Sequence, residues 1–152
     1  MQNSRRKSKT FFIQTNMNRE IIIELKDEHR RIITLLNEVD MNGSQEKVKE
    51  LILALQGIVV QHLHKEDTLI YPELLHSKNE SIIMLGNGFL HSMTEYSVIF
   101  VDVTRRILES TNQFDSLLKE DYKKIKDKIK DRIFIEEKAL FPVYEGLGEK
   151  QL

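Results

Sequence analysis

His62 and Glu66 stand four residues apart in HLHKEDTLIYPELL (62–75), and Arg132 and Glu136 stand four apart in RIFIEEKALFPVYE (132–145). On a helix this spacing puts both members of a pair on one face, one turn apart. Each stretch continues with an acid, an aliphatic residue, an aromatic and a proline at matching offsets, and Pro72 and Pro142 are the only prolines in the chain. Imidazole and carboxylate together are ligands for Fe, Zn or Mn. A guanidinium keeps its proton and cannot ligate, so Arg132 breaks the symmetry between the two frames.

The elements that must position these groups are helical. Turn chemistry at MNGS (41–44), HSKNES (76–81), STNQFDS (110–116) and GLGEK (146–150) leaves four long segments between short loops. Apolar residues recur at spacings of three and four in each: Ile22, Leu25, Ile32, Ile33 and Leu36; Val48, Leu51, Leu55, Val59 and Leu69; Leu85, Phe89, Met93, Tyr96, Phe100, Val103 and Ile107; Leu118, Ile125, Ile129, Leu140 and Val143. Short connections make consecutive helices antiparallel neighbours, so the expected fold is an all-α, up-down, antiparallel four-helix bundle. It is expected over residues 19–146, with a flexible arm at 1–18 and a tail at 147–152. The arm carries Arg5, Arg6, Lys7 and Lys9, and a solvated tail explains that cluster better than an anionic partner.

Polar residues in phase with these stripes carry the information. His29 lies between Leu25 and Ile32. His62 and Glu66 lie in phase with Leu55 and Val59, and Arg132 and Glu136 with Ile125 and Ile129. His64 is out of phase and belongs in water, and His76 falls in a loop. His91 lies on the far side of the third stripe if that helix is continuous; it faces inward only if the Gly86-Asn87-Gly88 run resets the phase.

Composition narrows the function. The chain of 152 residues suits one domain, its net charge is −1, and it has no cysteine, hence no disulfide, thiolate ligand or thiol nucleophile. No apolar run approaches a membrane span, no leader segment is evident, and cytoplasm is the default location. There is no nucleic-acid signature beyond the basic arm. There is no Ser-His-Asp arrangement, P-loop or Rossmann glycine motif, so no catalytic residue is assigned. An oxidase or peroxidase activity at an iron site is the enzymatic option left. Tyr71, Tyr96 and Tyr144 are near such a site in register, but core packing explains them more simply.

The stretch DEHRRI around His29, the His62-x-x-x-Glu66 pair leading into LIYP, and the echo EEKALFP resemble the hemerythrin-like (HHE cation-binding) family over residues 19–145. The resemblance implies an antiparallel four-helix bundle around a non-haem di-iron centre that carries or senses oxygen, handles iron or serves iron–sulfur repair. It implies His29 and His62 as terminal ligands, Glu66 and Glu136 as bridging carboxylates, and His91 as the third-helix ligand if it turns inward. Arg132 stands where the family has a histidine, as in a divergent subgroup, and this bears on the second iron. The expected cofactor is therefore iron, one or two ions, with Zn or Mn as other fits. The expected ligand is dioxygen or another small diatomic. In the alternative, Arg132 replaces the metal and the bundle is a metal-free regulator acting through a protein partner.

Overall fold

The computed structural model describes residues 2–147. Six helices, α1 (Gln2–Glu38), α2 (Gln45–Lys65), α3 (Tyr71–Leu75), α4 (Glu80–Glu109), α5 (Ser116–Ile135) and α6 (Phe141–Leu147), form four rods, because α2 runs into α3 and α5 into α6. There is no strand among the described residues. α1 packs against α2 and the α5–α6 rod, while α4 packs against the α2–α3 rod and α5, which closes an up-down four-helix bundle. Among the described residues no helix is long and apolar enough to cross a membrane.

Local chemistry sets the ends of the rods. Ser44, Asn79 and Asp115 each accept a bond from a backbone N–H in the first turn of α2, α4 and α5. Tyr122 donates to the Leu36 carbonyl at 2.6 Å, satisfying an orphan acceptor in the last turn of α1. The backbone of α1 is helical from Gln2, within the segment expected as an arm. That segment holds neither glycine nor proline to interrupt a helix. At its end Asn18 is buried and donates to the Tyr144 carbonyl at 3.2 Å. The side chains of Arg5, Arg6 and Lys7 lie outside the described residues. So does the expected tail, except Leu147, which is buried as the last residue of α6.

The two rods that carry the repeated frame share a feature that the apolar spacing does not reveal. Between α2 and α3, residues Glu66–Ile70 make a π-helical turn, and Glu136–Leu140 make another between α5 and α6. In each, the amide just before proline bonds five residues back: Tyr71 N–H to the Glu66 carbonyl, Phe141 N–H to the Glu136 carbonyl. Proline has no N–H, and its ring clashes with the carbonyl four residues earlier; the wider turn relieves that clash. The extra residue also rotates everything downstream. Leu69, expected in the core, is 39% exposed, and Ile70, Tyr71 and Leu74 are buried instead. Likewise Phe141 and Tyr144 are buried while Val143 is only partly so.

The buried apolar side chains form two clusters. One gathers Ile32, Leu36, Leu55, Val59, Ile107, Ile125 and Ile133. The other gathers Leu25, Ile70, Tyr71, Leu74, Phe89, Leu140, Phe141 and Tyr144. His29, His62, Glu66, Arg132 and Glu136 are also buried, and in sequence they fall between the members of the two clusters on three rods.

The register shift is testable. One alanine inserted after Leu69 would add a residue beyond the one the π turn absorbs and swing Tyr71 and Leu74 by about 100° around the rod. Exposing large side chains at about 1.5–3 kcal/mol each should cost several kcal/mol in chemical denaturation. Leu69→Ala, which leaves the register alone, should stay within about 1 kcal/mol.

Candidate metal centre

His29 from α1, His62 from the last turn of α2, and Glu66 and Glu136 from the start of each π turn converge in the core. One ligand atom from each lies within 4.8 Å of all the others, and all four residues are buried. The His29 and His62 Nε2 atoms are 3.1 Å apart. Glu136 Oε2 lies 3.1 Å from His29 Nε2 and 3.8 Å from His62 Nε2. Glu66 Oε1 lies 2.5 Å from His62 Nε2 in an ion-pair contact and has no hydrogen-bond partner.

The histidines are oriented from outside. His62 presents Nδ1 to Glu28 Oε2 at 3.0 Å, and Glu28 is in turn held by the Lys65 ammonium. His29 turns Nδ1 towards Glu137 Oε2 at 3.5 Å and stacks on Phe141 at 5.3 Å between ring centroids. At His62 the carboxylate at Nδ1 fixes the proton there and leaves Nε2 to act as a ligand; His29 Nδ1 makes no hydrogen bond, and that ring is set by its stacking on Phe141. Both Nε2 atoms therefore aim at one point, where two carboxylate oxygens also aim.

Arg132 lies on the other side of the carboxylates. Its Nε donates to Glu136 Oε1 at 3.0 Å. Its Nη2 donates to the Tyr71 hydroxyl at 3.0 Å and to the Phe89 carbonyl at 2.9 Å, and Nη1 donates to the Ser92 hydroxyl. Tyr71 then donates to Glu66 Oε2 at 3.0 Å. Burial and the neighbouring Glu66 charge push the Tyr71 phenol up, so it remains a donor.

Electrostatics follow from this crowding. Burial raises the Glu66 carboxyl, and the nearby Glu136 charge raises it further. Burial would raise Glu136 too, but the bond from His29 and the nearby charge of His62 hold it well below the usual carboxylate range. Burial alone would lower His62, yet Glu136 and Glu66 outweigh it and push the imidazole up to about 10. Two facing carboxylates demand positive charge; Arg132 supplies one unit, and a proton on His62 or a cation supplies the rest.

The residues fit a cation. Ligand atoms about 2.1 Å from a common ion lie about 3 to 4 Å apart, close to the separations seen here. Glu66 Oε1 is a buried acceptor facing the shared point without a hydrogen-bond donor. Two neutral nitrogens and two carboxylates form a donor set for Fe, Zn or Mn.

Of the five expected ligands, the structure brings four together and places His91 elsewhere. The His91 side chain is 83% exposed and lies 3.7 Å from Glu95 on the surface of α4. The Gly86-Asn87-Gly88 run does not reset the phase, because α4 is unbroken from Glu80 to Glu109. Gly86 instead permits a close approach of helices: a Cβ there would meet Leu74 Cβ at 3.0 Å. His64 and His76 are exposed, as expected. Sequence reasoning passed over Glu28, although it lies three residues after Leu25 and four before Ile32, and so shares their seam. It also treated Tyr71 as packing, since the π turn that aims the hydroxyl at Glu66 was not foreseen.

Residues 20–144 match the family model described as the hemerythrin HHE cation binding domain. No curated protein and no solved structure matches the chain.

In chelator-treated protein the His62 proton should couple stability to pH. The unfolded imidazole titrates near 6.5 and the folded one near 10. The stabilisation from this proton is thus complete below 6.5 and is lost as pH rises to 10. Denaturant titrations should fall across that window by an amount on the order of a few kcal/mol. His62→Gln should flatten the slope.

Proposed function

The chain belongs to the hemerythrin HHE cation-binding domain family, and from that membership we propose that it binds non-haem iron through His29, His62, Glu66 and Glu136. The observation that carries the reading is the convergence of two Nε2 atoms and two carboxylate oxygens, all buried, within 4.8 Å. Iron is preferred over zinc because the site meets a cavity suited to a small neutral molecule. That cavity has a volume of about 240 Å³. It runs from the exposed Val60 and Val101 past Val59, Leu63, Met93 and Phe100 to His62, Arg132 and Glu136. Apolar walls favour a neutral ligand such as dioxygen over an anion, and the donors of Arg132 are already engaged. We assign the protein to oxygen or redox sensing, oxygen binding or iron handling.

When bound, the ion supplies Lewis acidity and electrons to a ligand arriving by this route. The chain's own residues do the rest. Glu28 sets the direction of the His62 imidazole, and stacking on Phe141 sets that of His29. Tyr71 and Arg132 hold the outer oxygens of the carboxylates, so these cannot rotate away. The apolar wall limits the approach of water. Loading at neutral pH must displace the His62 proton, so affinity falls as pH falls.

A second reading, the metal-free bundle acting on a protein partner, has one observation in its favour. Arg132 and a protonated His62 together balance Glu66 and Glu136, so the core reaches neutrality without an ion. Elemental analysis separates the two readings. Protein made in iron-rich medium should carry iron, and His62→Ala and Glu136→Ala should lose it. Iron-free wild-type protein that also fails to take up Fe(II) anaerobically at millimolar concentration would exclude the first reading.

The cavity yields a separate expectation. Ser97 lines it and is half-buried. Ser97→Phe should leave iron content unchanged and slow air oxidation of the ferrous protein about tenfold or more, since a filled route lowers ligand access. Equal oxidation rates in stopped-flow absorbance would show that the ligand arrives another way.

A further inference from the structure

The two carboxylates at the centre divide their oxygens in the same way. Glu136 turns Oε2 to the histidines, 3.1 Å from His29 Nε2, and Oε1 to Arg132 Nε at 3.0 Å. Glu66 turns Oε1 to His62 Nε2 at 2.5 Å, while Oε2 accepts from Tyr71, whose oxygen accepts from Arg132 Nη2. Each carboxylate therefore spans two positions of positive charge, one between the imidazoles and one filled by the guanidinium. We propose that Arg132 is a built-in cation that takes the second position permanently and limits the centre to one metal ion per chain. This rests on the cation-binding reading above.

The surroundings of Arg132 suit a guanidinium and not an ion. What α4 offers here is the Phe89 carbonyl, the Ser92 hydroxyl and the rings of Phe89 and Tyr96, whose centroids lie 5.0 and 5.8 Å from the guanidinium carbon. These are neutral acceptors and π faces, which bind a planar, delocalised cation well. No imidazole or carboxylate comes from α4, since His91 and Glu95 are on its outer face. A guanidinium does not deprotonate in a protein, so the position cannot be vacated by a change of pH. A second divalent ion would have to enter beside this fixed charge and share the same two carboxylates, against strong repulsion. The ion between the histidines is then a magnetically isolated one.

Manganese(II) serves as the probe, with metal content per chain measured after gel filtration and the spin state read by electron paramagnetic resonance. Wild-type protein should hold a single ion with an uncoupled spectrum. Arg132→His recreates the spacing of His62 and Glu66 in the last rod and should raise the content about twofold, with an exchange-coupled signal. Arg132→Lys keeps the charge and should stay at the wild-type content. A coupled pair in the wild type, or an unchanged content in folded Arg132→His, overturns the inference and leaves the cation-binding reading standing. If Arg132→His does not fold, the wild-type and Arg132→Lys spectra decide. Absence of any bound ion in the wild type removes both this inference and the reading beneath it.

Discussion

Two carboxylates are held in the middle of an apolar bundle, Glu66 with no exposure and Glu136 with 2%. Each unpaired charge in such a place costs several kcal/mol. The geometry around them follows from offsetting that cost. Arg132 takes one side of both acids, directly and through Tyr71. The histidine pair takes the other, with a proton or an ion at its focus. Glu28 and Lys65 extend the alternation of charge towards the surface. The apolar clusters supply the low dielectric that makes the arrangement strong when complete and costly when broken.

The backbone delivers these acids by one device used twice. A proline six residues after each glutamate goes with a π turn that begins at that glutamate. Ordinary α spacing puts the upstream histidine or arginine and the glutamate on one face, and the wider turn then rotates the next aromatic into the core. In the α2–α3 rod this aromatic is Tyr71, which bonds to Glu66; in the α5–α6 rod it is Phe141, which stacks on His29. The repeat is therefore close in backbone and unequal in chemistry. His62 opens one copy and Arg132 the other, and on the reading proposed above this difference makes one side of the carboxylates a ligand site and the other a fixed cation.

Much of this was legible in the residues. Spacings of three and four located the rods, and ionisable residues in phase with them located the centre: His29, His62, Glu66, Arg132 and Glu136 are all buried. What periodicity could not reach was any event that changes the phase. It placed Leu69 in the core because a helical wheel has no way to count the extra residue of a π turn. It left His91 open because glycines signal freedom in the chain, whereas here Gly86 serves close packing inside an unbroken helix. The partners that orient the site, Glu28 and Tyr71, were missed for a related reason. Tyr71 reaches Glu66 through the π turn of its own rod, and Glu28 reaches His62 because α1 and α2 meet at one level, which is set by packing across the bundle.

The central claim is that the imidazoles and carboxylates surround one ion while Arg132 keeps the opposite side. Anomalous scattering from crystals of the iron-loaded protein, recorded at the iron edge, tests it most directly. The account predicts a single peak between His29 Nε2, His62 Nε2, Glu66 Oε1 and Glu136 Oε2, with the guanidinium still bonded to Glu136. A peak elsewhere, or a second one on the far side of the carboxylates with Arg132 displaced, would contradict it.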